Sequence, residues 1–181
     1  MRRLVPLVTI ATAAVAAAAP AAQGQPRGAR TCAGAYVHPT PATVATAQSA
    51  ALCLVNAERR SRGLRPLQSN ARLIAAARDH SRDMVSRRYF EHGAFVGRIL
   101  AHGYAAGRQV WALGENLAWG TGDLGTPAAV VDAWMHSPGH RANILHAGFR
   151  ESGVGVAPGV PVAGAGGRGG ATYTLDLGTR R

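Results

Sequence analysis

The sequence predicts an α+β fold, and two observations carry that prediction. Capped helical stretches dominate the chain up to about residue 145, and strand-like alternation clusters late, at Ser152–Ala157 and Thr172–Gly178. Helices first and strands late argue for layers of helix against sheet rather than alternating βαβ units. No internal repeat interrupts the pattern.

Residues 1–24 read as a secretory signal peptide. Arg2 and Arg3 precede an uncharged run from Leu4 to about Ala22, and small residues at Ala19-Pro20-Ala21 and Ala22-Gln23-Gly24 offer a cleavage site. Pro20 breaks the run and no charge cluster follows it directly, which argues against a membrane anchor. No later segment approaches the ~20 apolar residues of a spanning helix. A soluble mature protein is therefore expected, secreted to the medium or the cell envelope. Residues 25–40 form an irregular lead-in, and 41–181 a single domain, expected to be monomeric.

Thr40-Pro41 pairs an N-cap with proline at the first helical position. The helix it opens runs to about Arg62 and stops at Gly63, with Val44, Ala47, Ala51, Leu54 and Val55 at helical spacing. Leu64–Gln68 is a proline-bearing turn. Ser69 or Asn70 caps a second helix from Ala71 to about Arg87, whose stripe is Leu73, Ala77, His80 and Met84. His80 on that stripe reads as a packing histidine. Glu91-His92-Gly93 turns the chain, and a short helix covers about Ala94–Ala101. Val110–Gly120 has β character. Thr126-Pro127 repeats the cap-plus-proline signal and opens a helix through His136. Pro158–Gly170 reads as a loop. In the last strand Tyr173, Leu175 and Leu177 face one way, and Thr172, Thr174 and Asp176 the other.

The formal net charge is +11, and all twenty basic residues are arginine. The balance favours anionic partners such as an envelope polymer or lipid head groups. No nucleic-acid reading motif accompanies it, so nucleic acid is not an expected partner. The densest arginine group, Arg59–Arg88, is expected on solvated helix faces. Cys32 and Cys53 are the two cysteines, and in an exported chain an even count favours a disulfide. They lie far in sequence from the candidate site, which argues against a thiol nucleophile.

The stretch Trp134-Met135-His136-Ser137-Pro138-Gly139-His140-Arg141-Ala142-Asn143-Ile144-Leu145 holds an aromatic anchor, a helix break and two histidines. Pro138 disfavours helix at Ser137, yet Ser137 as N-cap and Pro138 at N1 start a new helix with His140 in its first turn. The positive end of that helix disfavours an imidazolium there. His136 and His140 are four apart, but His-Glu-x-x-His needs one continuous helix and a glutamate, and both are missing. No Gly-x-Ser-x-Gly elbow is present. Glu115 stands in an apolar run, and a carboxylate buried there must be paired, bound or protonated.

Gly-Glu-Asn-Leu-Ala-Trp at 114–119, followed by 134–145, resembles the CAP superfamily of cysteine-rich secretory proteins, antigen 5 and pathogenesis-related proteins (the SCP domain), in its bacterial secreted branch. Asn56-Ala57-Glu58-Arg59-Arg60, Tyr89-Phe90-Glu91-His92, Phe149–Val156 and Tyr173–Gly178 extend the likeness over about Ala47–Gly178. The resemblance implies a three-layer α-β-α sandwich with a central antiparallel sheet. It also implies a cleft that in many members holds two His and two Glu. His92, Glu115 and His140 match three of those positions, and Ser137 stands at the fourth. The implied ligands for zinc or another divalent cation are His92 and His140, with Glu115 the candidate catalytic group and Glu115, Ser137 and Asn116 lining the cleft. Two imidazoles make an open site weaker than a three-ligand catalytic one, and the missing carboxylate removes an acid/base partner.

Three functions follow. The favoured one is a secreted module whose cleft binds a small ligand (lipid, glycan or peptide) or a metal. The second is a metal-dependent hydrolase in which Glu115 activates water. The third is a non-catalytic scaffold acting through its basic surface.

Overall fold

A computed structural model describes residues 8–9, 31–162 and 169–180. Apart from Val8–Thr9, the signal-peptide segment lies outside the described residues, as do the first residues of the lead-in and the centre of the 158–170 loop. The elements are β1 (Val8–Thr9), α1 (Val44–Arg60), β2 (Gln68–Ser69), α2 (Ala71–Arg87), α3 (Phe95–Ala101), β3 (Val110–Thr121), a 3-10 turn (Gly122–Gly125), α4 (Pro127–His136), α5 (Pro138–Leu145), β4 (Glu151–Pro158) and β5 (Gly170–Arg180).

The expected three-layer sandwich is what forms. Among the described residues the sheet order is β1-β3-β5-β4-β2. Its centre is antiparallel, with β5 between β3 and β4. The two-residue strands at the edges pair parallel, β1 on β3 and β2 on β4, so the sheet as a whole is mixed. β2 straddles the end of the segment read as a turn and the residue read as a possible cap, Ser69, and two residues are too few to show a period of two.

Alternation along the strands separates two cores. Val154, Val156, Tyr173, Leu175 and Leu177 meet α1, α4 and α5 through Ala47, Ala51, Leu54, Val131, Trp134 and Ile144. The opposite face meets α2 and α3 through Leu73, Ala76, Phe95, Ile99, Tyr104 and Leu113. The expected parity of β5 holds: Ser81 Oγ of α2 bonds Thr174 Oγ1 at 2.9 Å, while Leu175 and its alternates face the other layer.

Helix α2 lies unusually close to β4. A Cβ built on Gly153 would stand 2.1 Å from Ile74 N and Leu73 C, and one on Gly155 would stand 2.1 Å from Ala77 C. The Val-Gly alternation of β4 therefore presents bare backbone to the α2 layer and valine to the α1 layer. Glycine at these positions is required by the approach of another backbone.

Most helix ends follow their signals. Asn70 Oδ1 accepts from Arg72 N and Leu73 N, and Thr126 caps α4 by accepting from Ala129 N. α1 starts later than expected, at Val44. The Thr40 carbonyl accepts from Thr43 N and Val44 N, and Thr43 Oγ1 donates to His38 O. These local bonds wind residues 41–43 as a turn. Ser137 stands at the N-cap position of α5, but its hydroxyl makes no capping bond. Cys32 and Cys53 form the expected disulfide, with Cα atoms 5.7 Å apart.

Arg59 departs from the expected solvated face. It is fully buried in α1. Its guanidinium donates from Nε to Arg65 O (2.9 Å), from Nη1 to Ile144 O (2.6 Å) and His146 O (3.1 Å), and from Nη2 to Phe149 O (3.4 Å). Two of those carbonyls close α5, so a cation sits at the negative end of that helix.

Candidate functional site

β3 places Glu115 in register with Asp176 of β5, on the face covered by α2 and α3. Glu115 is 1% exposed. His92 Nδ1 donates to Glu115 Oε1 at 2.8 Å, and Arg98 Nη2 of α3 donates to Oε2. Arg98 Nη1 also reaches the His92 carbonyl at 3.4 Å. The turn that carries His92 bends at Gly93, whose φ of 55° suits glycine. Both carboxylate oxygens of Glu115 are thus engaged, one by an imidazole and one by a guanidinium.

The next residue of β3 points to the other layer. Asn116 is fully buried, so it stands behind the cleft rather than lining it as expected. Its Nδ2 donates to the His140 carbonyl at 2.9 Å, and its Oδ1 accepts from Asn143 Nδ2 at 2.9 Å. Asn143 Nδ2 also reaches the Glu115 carbonyl at 3.3 Å. These amides staple the first turns of α5 to β3 and fix where His140 sits. His140 is buried, and its Nε2 makes no hydrogen bond among the described residues. Burial first, and the charge of His92 second, hold the His140 imidazole below its ordinary pKa. The neutral form is the one that coordinates a metal or accepts a proton.

The remaining predicted residues lie further out. Ser137 is half-exposed at the α4–α5 junction, where its backbone N–H donates to Ala133 O and its carbonyl accepts from Arg141 N. His136 is exposed and paired locally with Asp132, as expected of a bystander. His80 is a satisfied packing histidine: its Nε2 bonds the Glu91 carbonyl at 3.0 Å. Burial, with Arg98 after it, keeps its pKa low.

Three residues of the arrangement went unread in the sequence. Arg98 was one of many arginines on short helices, with nothing to set it apart. Asn143 stands three residues after His140, a polar group on the same helix face. Asp176 carried the clearest signal, a lone acid at an alternate position of a strand. It is fully buried, and neither carboxyl oxygen makes a hydrogen bond among the described residues. Burial, and then the Glu115 charge beside it, push its pKa well above the carboxylate range, with Arg98 opposing. Asp176 is therefore biased toward its neutral form, a second carboxyl group next to Glu115 from a strand rather than from position 137.

A cavity of about 280 Å³ opens beside this cluster, lined by His80, Arg87, Tyr89, Glu91, Gly93, Ala94 and Arg98. Arg98 joins the two, since the same side chain walls the cavity and holds Glu115. Tyr89 donates to Asp83 Oδ2 at 2.6 Å. Burial and that bond push its pKa up to about 12, so it faces the cavity as a neutral phenol.

The donor set fits a metal only as a two-imidazole site. The orphaned Nε2 of His140 suits a ligand, and an imidazole whose other nitrogen donates to a carboxylate is how metal-binding histidines are usually oriented. Glu115 then stands behind His92 and does not ligate. Among the described residues no group of three or more His, Cys, Asp or Glu is placed to hold a metal ion.

This sandwich, with His92, Glu115 and His140 brought to one strand, defines a CAP domain, and the chain belongs to the cysteine-rich secretory protein family, whose model matches residues 52–161. Its relatives are bacterial. Bacillus subtilis YkwD is 40% identical over 116 residues, covering 64% of this chain and 44% of that protein. The B. subtilis membrane protein YlbC is 34% identical over 116 residues, or 61% of this chain and 32% of its own. The chain thus matches less than half the length of these curated relatives. Among solved structures, an extracellular SCP-domain protein of Bacillus anthracis superposes with a TM-score of 0.59 at 24% identity, covering 77% of this chain and 43% of that one. An outer surface protein of Borrelia burgdorferi gives 0.54 at 19% identity, covering 72% and 90%.

Proposed function

We propose that the chain is an exported, non-catalytic binding module whose cleft at His92, Glu115 and His140 takes a small ligand. The observation that carries this reading is the engagement of Glu115. Both oxygens of the carboxylate are already engaged, one by His92 and one by Arg98, so it is set up to orient those two side chains rather than to take a proton from an attacking water. The Arg98 guanidinium is itself held by the His92 carbonyl.

A divalent cation such as zinc is one ligand the cleft suits. His92 and His140 would hold it, Glu115 would orient His92, and the ion would supply an electrophilic point for a polar group of a second ligand. Export is supported by the N-terminal signal pattern, by the disulfide, which persists in oxidising compartments, and by relatives described as extracellular or outer-surface proteins. No helix among the described residues is long and apolar enough to cross a membrane.

Calorimetric titration with zinc, on the wild type and on His92→Ala and His140→Ala, tests the cation. Binding should be weak in the wild type and absent in both variants, and equal binding in all three ends the histidine site. Turnover of a peptide or ester library that disappears in Glu115→Ala would replace the binding reading with the hydrolase one.

A further inference from the structure

The far end of α2 holds a second cavity, of about 370 Å³, lined by Asn70, Ala71, Arg72, Ala106, Arg108 and Arg180. We infer that this cavity is a phosphate-group site, formed by the guanidinium groups of Arg72, Arg108 and Arg180. It is separate from the His92–Glu115–His140 cleft and independent of what that cleft binds. Tyr89 and Arg98 serve the C-terminal end of α2, and this cavity serves its N-terminal end, a helix length of about 25 Å away.

The charge count favours an anion. The lining contains three arginines and no acid. Behind the wall a single carboxylate, Glu151, takes Arg180 Nε at 3.1 Å and Nη2 at 3.3 Å. Two positive charges are left over. Two of the three guanidinium groups, those of Arg180 and Arg72, are also positioned before any ligand arrives. Arg180 Nη1 donates to Tyr104 O at 3.0 Å, and its plane stacks 4.8 Å from the centre of the Tyr104 ring. Arg72 spends Nη1 on the Gly103 carbonyl at 2.6 Å and keeps the rest of its fork. Arg108 is exposed and pairs with no acid among the described residues. Planar forks held in advance lose little freedom on meeting a tetrahedral oxyanion, which is why arginine dominates such sites.

The helix end does not carry the site. Asn70 Oδ1 already accepts from Arg72 N and Leu73 N, so the donors are side chains and the α2 dipole only adds to their field. A phosphate group fits the three-sided arrangement better than a planar carboxylate, which one fork would satisfy. The group can arrive as free phosphate or as the phosphodiester of an anionic polymer.

The test is a nitrogen–proton NMR titration of the whole protein with inorganic phosphate and, separately, with a soluble poly(glycerol phosphate) chain. The amides of Ala71, Ala106 and Arg108 should shift. The variant Arg72→Ala/Arg108→Ala should lose about tenfold in affinity, the equivalent of one charge-assisted hydrogen bond. Arg60→Ala/Arg82→Ala removes the same charge from exposed helix positions and should keep the binding. Both pairs are exposed, and unchanged amide spectra elsewhere verify folding. Shifts with phosphate alone identify a free-anion site, and shifts with the polymer alone identify a polymer site. The inference is overturned if neither probe moves those amides, or if the two double variants weaken binding equally. His92→Ala should leave the titration unchanged, which separates this site from the cleft.

Discussion

Replacing Arg59 with methionine should destabilise the protein by about 3 kcal/mol. Methionine keeps most of the apolar stem and removes the fork, so the change isolates the hydrogen bonds. Four carbonyls lose a donor, although His146 O keeps Phe149 N and Phe149 O keeps Arg150 Nη1. Two of those bonds, to Ile144 O and Phe149 O, lie in fully buried surroundings, and of the two Ile144 O is the one left without a side-chain donor. Each buried acceptor left unsatisfied costs about 1–3 kcal/mol. The carbonyls of Arg65 and His146 are partly buried, and water can replace much of what they lose. Against this stands the cost of burying a guanidinium with no carboxylate beside it. That burial, with Arg150 nearby, already lowers the Arg59 pKa. In buried ion pairs, replacing every charged partner with apolar groups can be stabilising. Here the partners are backbone carbonyls, which no substitution removes, so the loss should dominate. For a domain of this size about 3 kcal/mol lowers Tm by roughly 6–12 °C. Thermal unfolding followed by circular dichroism measures it, with urea unfolding as a check on two-state behaviour. Arg59→Lys should fail to rescue, because an ammonium cannot span carbonyls of two segments. A Tm within about 2 °C of wild type, or full rescue by lysine, would refute the reasoning. Because two of the carbonyls close α5, weakened zinc binding should accompany the loss wherever the wild type binds.

The other outcomes are as follows. Gly153→Ala should cost about 3 kcal/mol, at the upper end for overpacking, because the Cβ meets helix backbone and no side chain can yield; a stable, soluble variant would contradict the seam between α2 and β4. At Glu151, burial alone would raise the pKa, but hydrogen bonds from Tyr104, Arg180 and Asn70 outweigh it, and the net shift is downward. Its contribution to stability is present above the unfolded value of 4.5 and is lost as pH falls through the folded one. Glu151→Gln should therefore flatten the acid limb of a stability-versus-pH curve. Asp176 has the opposite sign: its folded pKa is raised, so stability is full below the unfolded 3.8 and declines as pH rises toward the folded value. Asp176→Asn should unfold at a higher temperature than wild type at neutral pH, with the gap closing toward pH 4. Free-thiol labelling of the denatured, unreduced protein should find no cysteine, and reduction should cost about 3 kcal/mol for a loop of this length.

The layered fold was legible because capping and periodicity are local. Thr126-Pro127, Asn70 and the parity of Tyr173, Leu175 and Leu177 each fix structure within a few residues. The placement of Glu115 in a buried strand was legible on the same grounds. What the sequence hid depends on contacts far apart along the chain. Nothing near Arg59 reveals that carbonyls about ninety residues later will surround it. Nothing near Arg98 reveals that its short helix will lie over Glu115. Asp176 sits between, since its strand position was readable but its neighbour was not. Asn116 directly follows Glu115, and the strand's period of two sends it to the opposite layer.

That parity has a consequence for how the chain tolerates change. Adjacent residues of β3 serve two different layers: Glu115 holds His92 and Arg98 on one, and Asn116 holds His140 and Asn143 on the other. The site is therefore written in odd and even positions of one strand. Inserting one residue between Leu113 and Glu115 sends Glu115 to the layer of His140, a carboxylate facing that residue's backbone oxygen, and sends Asn116 to the layer of Arg98 one pleat beyond the vacated position. Both layers fail together, although no functional side chain has been removed. Point substitutions can adjust this cleft one wall at a time, whereas a single added or lost codon in the strand dismantles it.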